Sequence, residues 1–476
     1  MKLSKLIDNS DVKNNFEDVE INNVTDKTDD ISESCAFVCI RGRSFDGHNA
    51  AEKAVEKGAA VVITEKDLKI KNQVIVDNTR KIYAKMCSAL LGNSHKKLKI
   101  IGITGTNGKT TTAYLIKDIL EKSGHKTGMT GTVKYAVSDR QYNADRTTPE
   151  PKELHTLFKE MADAGCEYAV MEVSSMALEQ MRVYGIEFEA AVFTNLTQDH
   201  LDYHITMENY LASKKILFSQ CKNAIINYDD NYSGEILSCC SCPVLTYSAK
   251  MDEADYTAKN IRLGNEGVCY ELVGSCFIGR AGVKTPGMFS VYNSMAAAVC
   301  CKVLGIDLNN SLEIISASRS APGRCEVVKT DTPYTIIIDY AHTPDALENI
   351  ISSVRGFCRG RIITVFGCGG DRDKSKRPVM GRVASQLSDI VIVTSDNPRT
   401  EDPQEIIKDI LNGINKKKQI YSEVSRREAV KKAMKLAAEN DIIILAGKGH
   451  ETYQIFNEDK TEFDERKIIS EILKEI

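Results

Sequence analysis

No run in the 476-residue sequence approaches the roughly 18 consecutive apolar residues that a membrane span needs. The amino terminus, MKLSKLIDNSDVKNNFEDVE, lacks the apolar core of a secretory signal, so a cytoplasmic location is the expectation. Basic charge is not in surplus either. The chain has 62 Lys and Arg against 66 Asp and Glu, a net charge of -4, which gives no electrostatic footprint for nucleic acid. Low-complexity tracts, repeats at solenoid spacing and long linkers are also missing, and there are only 10 prolines. What is there has a globular composition, 42% hydrophobic and 27% charged, in a chain too long for one ordinary core. Two or three domains are expected.

The 15 cysteines are odd in number and mostly scattered through apolar runs such as SCAFVCI and AAAVCCKVLG, the usage of reduced core thiols in a reducing compartment. The cluster CCSC (Cys239, Cys240, Cys242) has ligand chemistry for zinc but no partner pair at finger spacing, so no metal is expected there.

Hydrophobic patterning divides the chain into three α/β blocks, at 1–98, 99–328 and 329–476. The first carries short apolar runs (AFVCI, AAVVIT, QVIV) around a helix-like AAEKAVEKGA. The second opens on LKIIGITGTNGKTTTAYLIKDILEKSG, a buried strand, a glycine-containing loop and an amphipathic helix. A helix with proline near its start follows, placing Leu154, Leu157, Phe158 and Met161 on one face and stopping at Gly165; then come the strands EYAVMEV and AAVFTNL. A mainly parallel sheet is expected. In the third block, a Rossmann-like α/β domain, the strands YTIIIDYAH, RIITVFGCGGD, DIVIVTSDNPR and DIIILAGKGHE each lead into a polar loop. Four such loops at the carboxyl ends of parallel strands imply a ligand site.

TGTNGKTTT has the order of a phosphate-binding loop. Backbone N–H groups from Gly105 to Gly108 turn toward an anion at a helix N-terminus, Lys109 reaches the terminal phosphates and Thr110 offers its hydroxyl to Mg²⁺. Ile103 stands where the standard pattern has its first glycine. An ordinary glycine-rich turn would not need the Lys-Thr pair. Glu172 ends a strand where a carboxylate assists a metal, although a carboxylate bonded to backbone amides would look the same. Downstream, in TNLTQDHLDYHITMENYLASKKILF, an Asp-His pair precedes a helix beginning near Thr206 that carries Lys214 and Lys215. His200 reads either as a ligand or as a satisfied core histidine, and Lys214 as a plain solvated cation or something more.

Taken in order from about residue 99 to the end, GTNGKTT, EVSS, TNL-x-x-DHLDYH followed by Y-x-x-x-K, DYAHTPDAL, GCGGDRDKSKRP, DNPRTEDP and GKGHE-x-Y resemble the Mur ligases of peptidoglycan synthesis, and within them the branch that adds the third residue of the peptide. The resemblance implies a cytoplasmic, ADP-forming amide ligase, here expected as a monomer. ATP phosphorylates a carboxylate of UDP-N-acetylmuramoyl-L-alanyl-D-glutamate, and the amine of meso-2,6-diaminopimelate displaces the phosphate. It implies ATP contacts at Gly105, Thr106, Asn107, Gly108, Lys109, Thr110 and Thr111, joined by Asn293, Arg324, Asp339 and His342. Thr110, Glu172, His200 and Lys214 match metal-site positions, Lys214 as a CO₂-derived carbamate; Lys109, His200 and Lys214 are the catalytic set. His204 matches too, with a structural role expected. A nucleotide site closed between domains would exclude water from the acyl phosphate.

For the UDP substrate the resemblance implies Thr147, Thr148, Ser174, Gln180 and Arg182, with Thr28 where the family has a serine in DSR. Three departures stand out: KTD replaces DSR at 27–29, Met176 replaces a usual histidine, and Ser290 replaces a common asparagine. For the amino acid, it implies Arg372, Asp396, Asn397, Arg399, Gly447 and Glu451. Diaminopimelate differs from lysine by a distal carboxylate, which a guanidinium fork pairs and which lysine's ammonium cannot replace. Arg399 is the expected fork, Asp396, Asn397 and Glu451 with the Gly447 backbone the expected ammonium contacts, and Arg372 the partner of the other carboxylate.

Three alternatives stay open. A lysine-adding member usually lacks the DNPR arginine. A folylpolyglutamate-synthetase-like ligase shares the phosphate loop but is not expected to combine DHLDYH with DNPR. An ATP-binding protein without chemistry would have no need of Lys109, Glu172, His200 and Lys214 together.

Overall fold

The computed structural model describes residues 1–475 except 43–44, 320, 416–418 and 458. The chain is α/β and forms two compact units, Met1–Leu196 with His200–Leu245 and Val303–Ile306, and Thr197–Asp199 with Thr246–Lys302 and Asp307–Ile476.

The first unit holds two sheets. The runs AFVCI, AAVVIT and QVIV become Cys35–Val38, Ala59–Thr64 and Gln73–Ile75, which join Asn23–Thr25 in a four-stranded parallel sheet. The larger sheet has the order Ala224–Asn227, Ala190–Phe193, Lys99–Thr104, Tyr168–Glu172, Thr127–Thr130, all parallel, and then the antiparallel Lys134–Val137 and Arg140–Asn143. Its central strands are buried along nearly their whole length, which is why they read as continuous apolar runs without alternation. Pro151–Asp163 is the expected helix, with proline in its first turn and Leu154, Leu157, Phe158 and Met161 buried in the core beside that sheet.

In the second unit, Tyr256–Gly264, Gly267–Gly274 and Phe277–Val283 form an antiparallel meander. The six-stranded sheet has the order Glu326–Val328, Thr335–Asp339, Ile442–Ala446, Ile362–Phe366, Ile390–Thr394, Gln419–Glu423, parallel after its first, antiparallel pair. All four expected strands are present. Parallel pairing sends their carboxyl ends to one edge, and there the polar loops gather.

One core feature predicts an acid-labile fold. His155 is buried, edge-on to His95 at 5.3 Å and to Phe158 at 5.9 Å, and burial, then the neighbouring His95, lowers its pKa from 6.5 to about 3. Between those values the unfolded chain binds a proton that the folded chain refuses. The stability tied to His155 is therefore complete above pH 6.5 and falls as pH drops toward 3. His155→Leu is expected to flatten this part of the Tm against pH curve; an unchanged slope would contradict the assignment.

Candidate active site

The strand Lys99–Thr104 passes through residues 105–108 into the helix Lys109–Lys122. Gly105 has φ 150° and Gly108 φ 89°. A Cβ on Gly105 would lie 1.9 Å from Thr194 Oγ1, so only glycine fits this turn. Lys109 folds back over the loop, donating to the carbonyls of Gly105 (2.8 Å) and Thr106 (2.9 Å). Its ammonium is thus held against the loop's own backbone carbonyls.

The Thr110 hydroxyl donates to Glu172 Oε2 at 3.0 Å. Glu172 is only 1% exposed, and its carboxylate also accepts from the Thr132 amide (2.9 Å) and hydroxyl (3.0 Å). Gly131 makes room for it, since a Cβ there would be 2.3 Å from Glu172 Oε1. Hydroxyl and carboxylate oxygens converging beside a phosphate loop are the donors that a hard divalent cation takes.

Two residues passed over in the sequence hold the loop in shape. Asn195 Oδ1 accepts from the Asn107 amide (2.9 Å), and its Nδ2 donates to the Asn107 carbonyl (3.0 Å). The Thr194 hydroxyl donates to that same carbonyl at 2.7 Å, and the Thr106 amide donates to the Asn195 carbonyl at 2.8 Å. The signal lay in the TN directly after an apolar strand, where side chains with both donor and acceptor can copy backbone pairing.

The helix Met207–Phe218, capped by Thr206, presents Lys214 inward. At 1% exposure Lys214 is no solvated cation. Its Nζ lies 4.4 Å from the centroid of Tyr210, one turn earlier, whose hydroxyl is 3.2 Å from Thr106 Oγ1. Tyr210 therefore links Lys214 to the phosphate loop. His200 is exposed, in a left-handed backbone conformation with φ 53°, and its ring stands edge-on to Tyr210 at 6.1 Å; a satisfied core histidine it is not. His204 is buried, bonded to Ser175 Oγ (2.8 Å) and stacked on Tyr210, which fits its structural reading.

Thr147, Thr148, Ser174, Gln180 and Arg182 form one network. Thr147 Oγ1 lies 3.1 Å from Thr132 Oγ1, and the Thr148 hydroxyl donates to the Glu172 carbonyl (2.9 Å) and accepts from the Ser174 amide (3.0 Å). Arg182 donates to Gln180 Oε1 (2.7 Å) and the Thr148 carbonyl (2.9 Å), and pairs with Glu150 at 3.0 Å. Burial lowers the Arg182 pKa, opposed by Glu150. Thr28 stands outside this network, on the turn Thr28–Asp30 where its carbonyl and Asp29 both bind Lys57.

In the second unit, Asp396, Asn397, Gly447 and Glu451 come together at the sheet edge. Asn397 Nδ2 donates to Glu451 Oε2 at 2.9 Å, and a point one bond off Gly447 Cα is 3.5 Å from Asp396 Oδ2. Arg399, half-buried with φ 52°, donates from NH1 to the Gly370 carbonyl at 2.8 Å. Gly370 must be glycine, because a Cβ would be 1.8 Å from the Pro398 carbonyl oxygen. Arg372 is exposed, its NH1 donating to the carbonyl of its neighbour Asp371 at 3.2 Å. Sequence reading missed Lys448, buried among Asp396, Asn397 and Glu451.

Asp339 accepts from the Cys325 amide (2.7 Å) and the Ala341 amide (2.8 Å); burial raises its pKa against the pull of Arg324. The Arg324 guanidinium lies 4.9 Å from the Tyr340 ring centroid, His342 packs on that ring at 4.7 Å, and Asn293 is buried on the helix Met288–Val303.

Three family models match, "Mur ligase family, catalytic domain" at residues 20–92, "Mur ligase middle domain" at 103–301 and "Mur ligase, glutamate ligase domain" at 323–449. A Clostridium botulinum protein named UDP-N-acetylmuramoyl-L-alanyl-D-glutamate--2,6-diaminopimelate ligase is 46% identical over 99% of both chains. The chain belongs to the Mur ligase family. Another Mur ligase of the same name, from Clostridioides difficile, is 41% identical over the full length of both chains. A solved structure of a ligase with this name superposes with a TM-score of 0.71 at 32% identity, covering 96% of this chain and 95% of that one. The ADP complex of a MurF ligase from Thermotoga maritima, 18% identical with a TM-score of 0.62 over 95% of this chain and 96% of that one, shares the fold. The architecture is thus the three-domain α/β one of Mur ligases, which are ATP-dependent ligases.

Removing the two Asn195 side-chain bonds tests the clamp on the phosphate loop of this Mur ligase. Asn195→Ala is expected to cost about 1–3 kcal/mol of stability in a thermal melt and to weaken ATP binding at least ten-fold in a titration. Unchanged ATP affinity would contradict a loop-shaping role.

Proposed function

We propose that this Mur ligase adds meso-diaminopimelate to the D-glutamate of UDP-N-acetylmuramoyl-L-alanyl-D-glutamate in peptidoglycan precursor synthesis. What carries the reading is the amino-acid loop cluster, with Asp396, Asn397 and Glu451 gathered at one sheet edge and Arg399 two residues after Asn397, its guanidinium held by the Gly370 carbonyl. The relatives of 41–46% identity that bear the name of this activity support it.

The γ-phosphoryl group of ATP moves to the D-glutamate carboxylate, releasing ADP and leaving an acyl phosphate. The diaminopimelate amine attacks the acyl carbon, the C–O bond to phosphate breaks, and the amine loses its proton. Lys109 and the amides of Gly105, Thr106, Asn107 and Gly108 neutralise the phosphates, with Thr111 in the first turn behind them. Thr110 and Glu172 fit Mg²⁺, which when bound supplies charge to the transferring phosphoryl group; His200 and Lys214 belong to the same proposed metal region. Lys214 is buried on the helix Met207–Phe218, and a carbamate made with CO₂ would turn it into an anion able to orient a cation. Asn293, Arg324, Asp339 and His342 remain proposed nucleotide contacts, and the Thr147 to Arg182 network with Thr28 the proposed contacts of the UDP substrate.

Arg399 pairs the distal carboxylate of diaminopimelate and so excludes lysine; Asp396, Asn397, Glu451 and the Gly447 backbone take the distal ammonium, and Arg372 the remaining carboxylate. The division into 1–98, 99–328 and 329–476, the monomeric state and the cytoplasmic location go with this proposal. Among the described residues no helix is long and apolar enough to cross a membrane.

The test is product mass. ATP, Mg²⁺, the UDP-dipeptide and meso-diaminopimelate should yield the UDP-tripeptide with one ADP per bond, and Lys214→Ala should reduce the rate at least a hundred-fold. Product from lysine instead would overturn the loop reading, product from folate and glutamate would move the chain to the folylpolyglutamate branch, and no product would leave an ATP-binding protein. Arg399→Ala should cut the diaminopimelate-dependent rate far more than amino-acid-independent ATP hydrolysis. Equal losses would return Arg399 to the scaffold.

A further inference from the structure

Lys448 lies inside the amino-acid loop cluster with 0% of its surface exposed. Its ammonium donates to Asn397 Oδ1 (2.6 Å), Glu451 Oε2 (3.0 Å) and the Tyr453 carbonyl (2.7 Å), using all three protons. It also lies 3.2 Å from Asp396 Oδ1, off the hydrogen-bonding direction, and that buried oxygen has no hydrogen-bond partner among the described residues.

Two consequences follow. Asn397 Oδ1 also accepts from the Ile455 amide at 3.1 Å, so Lys448 and the backbone together fix which end of the amide is oxygen and turn Nδ2 to Glu451. The two carboxylates Asp396 and Glu451 against one ammonium leave one negative charge, with one buried acceptor unfilled. Two further cations lie near the cluster, and each is engaged elsewhere: Arg399 donates to the Gly370 carbonyl and Arg324 lies over the Tyr340 ring. Tyr453 and Tyr340 keep their protons, their pKa values raised first by burial and then by Glu451 and Asp396, and Arg426 is already paired with Glu465 at 2.8 Å.

We infer that Lys448 is a specificity-setting positioning residue: it neutralises one of the two loop carboxylates and orients Asn397, so that the site accepts one substrate ammonium and no more. This rests on the reading of the cluster as the diaminopimelate site. Without Lys448, the buried Asp396 and the half-buried Glu451 would lose the ammonium they share, and one of them would take up a proton at neutral pH. The substrate ammonium could then bind only by expelling that proton, which makes its affinity depend on pH.

Lys448→Gln, which keeps an N–H donor for Asn397 and removes only the charge, is the main test, with Lys448→Met beside it. At pH 7 the KM for meso-diaminopimelate should rise at least ten-fold and then fall as pH is raised from 6 to 9, while in the parent protein it is flat. The KM for ATP should stay within two-fold. An unchanged KM for diaminopimelate with the parent's pH profile, equal rises in every KM, or loss of folding in both variants would overturn the inference and assign Lys448 to the scaffold. If the parent protein itself shows no stimulation by diaminopimelate, the functional reading fails first, which the same assay reveals before any variant is measured.

Discussion

The phosphate loop can keep its shape only because two strand ends meet without side-chain volume between them. Gly105 touches Thr194, and Asn195 imitates a backbone strand by pairing both the N–H and the C=O of Asn107. The same edge of the sheet carries Glu172 and the network from Thr148 to Arg182, so the phosphate loop, the buried carboxylate and the proposed sugar-peptide contacts are positioned by adjacent parallel strands. Misplacing one strand end would shift all three, which is how a sheet edge gives catalytic precision that a lone loop does not.

The second unit solves a different problem, the burial of charge. Asp396, Glu451 and Lys448 lie among apolar strand ends, and each would be costly alone. Bound together they leave a single negative charge and, among the described residues, one acceptor without a hydrogen bond, on the loop that also carries Arg399, whose guanidinium is held by the Gly370 carbonyl. That pattern, a fixed anion near a fixed cation, complements a zwitterionic end group. A plain ammonium would satisfy only half of it. Selectivity of this kind comes from the charge left unpaired by the wrong ligand as much as from contacts with the right one.

The sequence exposed the elements whose physics is local. Continuous apolar runs marked the buried parallel strands, the proline and the 3–4 spacing of Leu154, Leu157, Phe158 and Met161 marked a helix, and the Lys-Thr pair after the loop marked its chemistry. The roles of Asn195, Tyr210 and Lys448 were hidden for one shared reason. Each acts on residues distant in sequence: Asn195 on a loop 88 positions away, Tyr210 on Thr106 at 104 positions and Lys448 on Asn397 at 51. Nothing in a one-dimensional pattern reports such a pairing. The reverse holds for Lys214, whose helix could be read from sequence, while its burial came from packing against Tyr210.

The central claim is that the loop cluster chooses its amino acid by the distal carboxylate. The most direct measurement is kcat/KM for meso-diaminopimelate and for L-lysine with saturating ATP and UDP-dipeptide at one pH and ionic strength. The account predicts a preference for diaminopimelate of at least about 10³-fold, the scale on which a site that leaves its own charge unpaired rejects an analogue. A ratio near one, or a preference for lysine, would contradict it.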